Sequence, residues 1–300
     1  MAESSQWVYP LGSAGDGTWD ISLGAGDTAV RPAGWEHTGL KTARLQPGEA
    51  VRLSAEAEER IIIPLEGALS VSVDGTEYQL RGRSSVFAGP SDVLYTGVDT
   101  AVVVSAPEGG RVAVALAPAR AGYPVRLIRS EDTPVELRGA GNCSRQVHNF
   151  GTPAALEADR FIVCEVLTPA GNWSSYPPHK HDEEKDGETS LEEIYYFETR
   201  AADGAPDGAP DGTDPVGYAR VYASDERPID VTAEVRTGDV VLVPYGWHGP
   251  AMAAPGYDLY YLNVMAGPGR VREWLISDDP HHGWVRSTWE NTQIDPRLPF

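Results

Sequence analysis

Apolar and polar positions alternate over short runs along the whole chain, and the runs end on Gly, Pro or Asp. TARLQPGEAVRL, ERIIIPLEGALSVSV, YQLRG, AVVVSA and RVAVALAP in the first half are rich in β-branched residues. FIVCEVLTP, EEIYYFETR, YARVYA, DVVLVP and YDLYYLNVMAG repeat the rhythm in the second half. This is the pattern of strands bounded by turns. Long amphipathic helices are missing; Pro153–Ala158 and Arg270–Ile276 are the two short helix candidates. The pattern predicts an all-β protein, either barrel or sandwich.

The halves also resemble each other in outline. LQPGEAVRL, EERIIIPLEG and GRSSVFAGPSDVLYTG run parallel to LTPAGNWSSYPPH, EEIYYFETR and TGDVVLVPYGWHGP. A repeat of this length points to two barrels, residues 1–140 and 141–300. Within the second, AADGAPDGAPDGTDP at Ala201–Pro215 has no apolar surface to bury and reads as a flexible surface loop.

The 300 residues are 41% apolar, enough for two modest cores. No run of eighteen apolar residues exists and the first residues carry no basic or apolar leader pattern, so a soluble, cytoplasmic protein without membrane contact is expected. Cys143 and Cys164 are too few for a disulfide framework, which fits a reducing compartment. The net charge of −20 repels phosphate backbones, so nucleic acid is not an expected partner. An anionic ligand needs a local cation to overcome that field.

The chemistry concentrates in Tyr176–Glu198, YPPHKHDEEKDGETSLEEIYYFE. In a strand, alternate side chains share a face, so His179 and His181 point inward together while Lys180 points away. Glu193 follows twelve residues after His181 and opens the next strand, with DEEKDGETS as the hairpin loop between; Asp182, Glu183 and Glu184 there read as solvated. GDVVLVPYGWHGP brings a distant strand into a Pro/Gly turn that presents His248. Three histidines and one glutamate suit one divalent transition ion, zinc or manganese before iron or nickel, with positions open to water or substrate oxygens. His37, His148, His281 and His282 lack such a context.

His179-Lys-His181, Glu193 and PYGWHGP resemble the two cupin motifs, with a longer loop before the glutamate and one residue instead of two between Gly246 and His248. NWSSYPPHKHD, LEEIYYFE, SRQVHNF and APGYDLYYLNVMAGP resemble, more narrowly, the 5-deoxy-glucuronate isomerase family of bacterial inositol catabolism, relatives of the 4-deoxy-5-keto-uronate isomerases. The resemblance implies two cupin-type jelly-roll barrels, the ligand set His179, His181, Glu193 and His248, and conversion of 5-deoxy-D-glucuronate to 5-dehydro-2-deoxy-D-gluconate.

Such an isomerisation polarises the aldehyde, acidifies the neighbouring C–H and passes through an enediolate. Glu193 and His248 are the expected catalytic positions; the proton carrier is left open between water, a tyrosine and Glu193. Alternation turns Tyr195 and Phe197 inward with Glu193, and Tyr261 and Asn263 inward as substrate contacts. For the substrate carboxylate, Arg145 is preferred and Arg220 is the alternative, because guanidinium binds carboxylate bidentately. The first barrel has Ser54 and Glu56 where the second has its histidine pair, and so lacks ligands. Its task is packing, as one subunit of a simpler cupin dimer would pack; the sequence is also compatible with a homo-oligomer. An Fe(II) dioxygenase and a non-catalytic sugar-acid-binding cupin are the rival readings.

Overall fold

The computed structural model describes residues 4–203, 209–224 and 227–300. The centre of the Ala201–Pro215 insertion, 204–208, lies outside the described residues; beside it, Thr199 donates to the Pro215 carbonyl and Asp214 pairs with Arg236. Strands dominate as expected, in three curled sheets. A nine-stranded sheet uses segments from Ile21 to Ile128 and closes the first barrel around a core that includes Ile62, Leu69, Val71 and Val104.

The second barrel is built from the other two sheets. One runs Val8–Tyr9, Val240–Val243, Glu192–Ala201, Tyr257–Ala266, Ile162–Thr168, Arg145–Gly151, Val135–Arg138. The other runs Asp230–Val235, Gly217–Tyr222, Trp247–Ala253, His179–Lys180, Ser277–Asp278, with Trp173–Ser174 paired to Trp247–Ala253. Sheet membership thus changes between Ile128 and Val135, ahead of residue 140, and the N-terminal strand crosses over to pair with Val240–Val241.

The barrels hold each other by matching carboxylate clamps. Glu59 accepts the backbone N–H groups of Asp159, Arg160 and Phe161, while Glu192 accepts those of Glu36, His37 and Thr38. Between the clamps, Ile61, Ile63 and Tyr95 of the first barrel share one apolar core with Phe161, Ile194 and Tyr196 of the second. Arg83 crosses this core to Glu165 at 2.7 Å, and Arg111 reaches Glu198 at 2.6 Å. The sharing follows from strand alternation, because the face of each sheet turned away from its own barrel is also apolar and needs cover.

The two helix candidates are not helices. Pro153–Ala155 is a turn and 272–276 is irregular backbone. The Arg272 guanidinium donates to the carbonyls of Gly151 at 2.6 Å, Leu156 at 2.5 Å and Phe161 at 2.6 Å. One side chain therefore satisfies three carbonyls of irregular backbone, and through Leu156 it ties the two candidates to each other. The longest helical element is instead the 3₁₀ segment Gly283–Asn291.

Candidate metal centre

His179 and His248 stand directly opposite each other on adjacent strands. His181 follows two residues on, and Glu193 enters from the facing sheet between Val243 and Met265. The three imidazole rings lie 4.4–6.2 Å apart, and one ligand nitrogen from each falls within 4.8 Å of the others. Glu193 Oε2 is 3.1 Å from His181 Nε2 and 3.0 Å from His248 Nε2. All four side chains are buried.

Each imidazole is oriented from behind by a backbone carbonyl: Pro177 for His179 Nδ1 at 3.4 Å, Leu191 for His181 at 3.2 Å, Gly246 for His248 at 3.3 Å. A carbonyl only accepts, so each Nδ1 carries the proton and each Nε2 presents a lone pair to the centre. Three lone pairs and a carboxylate converging in a buried space repel one another unless a cation sits among them. His248 Nε2 is buried without a hydrogen-bond partner of good geometry, as a metal ligand should be. Burial, with the two other histidines, drives His179 well below its ordinary pKa and keeps it neutral. Burial opposes charging His181, but the Glu193 carboxylate 3.1 Å away outweighs it and raises its pKa. Burial would raise the Glu193 pKa, yet the His181 and His248 imidazoles beside its carboxylate hold it at about 2. These residues fit one divalent ion.

The ligands open into a cavity of about 530 Å³. Tyr195, Tyr261 and Asn263 line it, brought together where Tyr195 pairs with Asn263 and Phe197 with Tyr261 across two strands. Asn263 Nδ2 is buried without a partner. Arg145 lines the same cavity, along with Arg138 and Arg286, which sequence reasoning missed. Arg138 and Arg286 are paired to Glu136 at 2.9 Å and Asp278 at 2.5 Å. Arg145 is buried, donates to the Cys143 carbonyl, and has no carboxylate within 4.0 Å among the described residues. Arg286 comes from a C-terminal segment with no pattern to announce it.

Several expectations need correction. Arg220 lies outside this cavity, its guanidinium engaged by Asp230 at 2.5 Å and by the carbonyls of Val221 and Val231. Lys180 does point away from the histidines, but onto the buried carboxylates of Asp182 and Glu188, with the partly exposed Glu183 also in reach. Asp182 is accordingly buried at its side chain, not solvated. His148 is also fully buried: its Nε2 accepts from Gln146 at 2.7 Å, and its Nδ1 donates to Glu165 at 2.8 Å. In the first barrel, Arg60 and Glu58 form a buried pair at 2.7 Å, and no His₃ set occurs there among the described residues.

Two curled β-barrels in one chain, with three histidines and a glutamate converging inside the second, define a bicupin. Residues 23–285 match the KduI/IolB family, and the chain belongs to it. It is 42% identical over 255 residues to the 5-deoxy-glucuronate isomerase of Geobacillus kaustophilus (strain HTA426), covering 84% of this chain and 87% of that one. The protein of the same name from Bacillus subtilis (strain 168) is 38% identical over 249 residues, 82% of this chain and 86% of the relative. An IolB-like protein from Salmonella typhimurium LT2 superposes with a TM-score of 0.75 at 36% identity, over 84% of this chain and 91% of that one. The Bacillus subtilis oxalate decarboxylase shares the fold alone, with a TM-score of 0.53 at 12% identity over 81% of this chain and 71% of that one. With such relatives, this chain is an isomerase of its family.

Proposed function

We propose that the protein is a metal-dependent aldose–ketose isomerase acting on 5-deoxy-D-glucuronate and forming 5-dehydro-2-deoxy-D-gluconate, a step of inositol breakdown. The observation that carries the substrate assignment is Arg145, a buried guanidinium without a carboxylate partner in the cavity that holds the histidines and Glu193. In a chain of net charge −20, a buried cation left unpaired is costly unless a ligand supplies the anion. A sugar acid does so, with its carboxylate at Arg145 and its reacting carbons toward the histidines.

His179, His181, Glu193 and His248 would hold the ion, which supplies Lewis acidity to a carbonyl oxygen. The unpartnered Asn263 amide donates to a substrate hydroxyl or carbonyl, and the aromatic wall of Tyr195, Phe197 and Tyr261 keeps bulk water from the reacting carbons. Purified protein should convert 5-deoxy-glucuronate to the ketose, and exhaustive chelation should abolish turnover. Arg145→Met should raise KM by about tenfold or more, the loss of a charge-assisted contact worth about 1.5–3 kcal/mol. An unchanged KM in that variant would place the carboxylate elsewhere.

A further inference from the structure

Three hydroxyls meet on the cavity wall beside Glu193. Ser175 Oγ is 3.0 Å from the Tyr261 hydroxyl and 3.3 Å from the Tyr195 hydroxyl, and either atom can donate in each contact. All three residues are buried and line the cavity, with the two phenol rings 5.2 Å apart. Ser175 is held in left-handed backbone at φ +49°, a conformation that a non-glycine residue keeps only where its surroundings impose it. The neighbour of His248 permits it: a Cβ on Gly249 would stand 1.8 Å from the Ser175 carbonyl oxygen. The serine is thus pressed against the metal-site strand at the cost of local strain.

A phenol has an ordinary pKa of about 10, so both tyrosines are uncharged at neutral pH, suited to handing on a proton and poor as free-standing bases.

We propose that Tyr195, Ser175 and Tyr261 form a hydroxyl relay that carries the oxygen-bound proton of the isomerisation between two neighbouring substrate oxygens. The inference rests on the isomerase reading and adds the route of one proton. Aldose-to-ketose conversion breaks C2–H and O2–H and forms C1–H and O1–H, while the C=O double bond moves from C1 to C2. No electrons leave the substrate. One phenol takes the O2 proton, a proton passes through Ser175, and the other phenol delivers one to O1. The relay ends reoriented, with its proton count unchanged. The carbon-bound proton travels separately.

The test uses Ser175→Ala, Tyr195→Phe, Tyr261→Phe and the Ser175→Ala/Tyr261→Phe double variant, each checked for melting transition and metal content. Each single change should lower kcat for ketose formation by about 100-fold or more with KM within a few-fold. The double variant should lose no more than a single one, because one broken link already stops the relay. Exchange of the C2 hydrogen with D2O should outlast ketose formation. Multiplicative losses, or a folded, metal-loaded Ser175→Ala enzyme with kcat within about threefold of wild type, overturn the relay. If Ser175→Ala does not fold, the two phenylalanine variants and their double decide by the same criterion. A wild-type protein inactive on 5-deoxy-glucuronate removes the isomerase reading and the relay with it; an active one with multiplicative losses removes the relay alone.

Discussion

Lys180 Nζ lies 2.8 Å from Asp182 Oδ1, and the other oxygen of that carboxylate accepts the backbone N–H of Gly246 at 2.8 Å. One buried ion pair therefore joins the strand that carries His179 and His181 to the turn that delivers His248. Glu188 at 2.8 Å completes the contacts to Lys180, Arg227 closes on Asp182 at 2.8 Å, and the ammonium faces the Trp247 ring. The charge cluster acts on the metal site through the backbone that sets ligand spacing.

Lys180→Met should therefore be costly although the side chain touches no ligand. Removing one member of a buried pair leaves its partners uncompensated, a loss of about 3 kcal/mol. Metal affinity should fall as well, by about tenfold or more, as when the groups that orient ligands are lost. Thermal melting and competition with a metal-binding dye measure the two effects. Wild-type affinity in Lys180→Met would show that the histidine geometry does not depend on the cluster.

Glu165 gives a pH prediction. Burial alone would raise its pKa, but Arg83 and the hydrogen bond from His148 hold it well below its ordinary value of 4.5. A depressed carboxylate stabilises the fold above its unfolded pKa and loses that contribution as pH falls toward its folded pKa. Stability should decline below about pH 4.5 through this group. Glu165→Gln, which strands Arg83 in the core, should cost about 3–5 kcal/mol at neutral pH and flatten the acid side of the stability profile. Urea titrations from pH 7 down to pH 3 check both.

Much of this was legible in the sequence, for reasons particular to strands. Alternation fixed which side chains share a face, so the spacing of His179 and His181, the EEIYYF strand and the PYGWH turn were enough to name the converging groups. Alternation does not say what covers the opposite face. It turned Lys180 away from the histidines, but nothing local shows that Asp182–Glu188 folds back over it and that Trp247 closes the side. Arg220 failed similarly: its exposed neighbour Asp230 comes from the adjacent strand and captures it. Ser175 was invisible because a left-handed serine has no sequence mark, and Arg83 with Glu165 because the two lie 82 residues apart in different barrels.

The first barrel carries a cation of its own. Glu59-Arg60 and Glu192-Glu193 alternate alike, with Glu59 and Glu192 turned to the opposite barrel, so Arg60 takes the inward place that Glu193 takes in the second. Its guanidinium is fully buried and reaches Glu58 at 2.7 Å, the Ser54 carbonyl at 2.6 Å and the Thr100 carbonyl at 2.9 Å. Arg60→Met should destabilise the protein by about 3–5 kcal/mol through the stranded Glu58. Metal content and kcat of the folded fraction should not change. A loss of bound metal at matched folding would tie the first barrel to the second barrel's site.

Metal binding itself should be single-site and pH-dependent. Only the histidines of the second barrel form a three-nitrogen set among the described residues, so elemental analysis should find one divalent ion per chain, and two at comparable affinity would expose a site in the first barrel. Ligation requires neutral imidazoles, so affinity should fall as pH is lowered. Glu193 raises the His181 pKa and so helps a proton compete with the ion there, whereas burial keeps His179 neutral. His248→Gln removes one ligand from a turn without emptying the core, since the amide keeps a polar tip near Gly246. It should retain a native-like melting transition, bind metal about 10- to 100-fold more weakly and lose most turnover, with partial recovery in excess metal. Isomerisation that survives both this substitution and exhaustive chelation would mean that no bound ion polarises the carbonyl, and the proposed chemistry would fail while the fold stood.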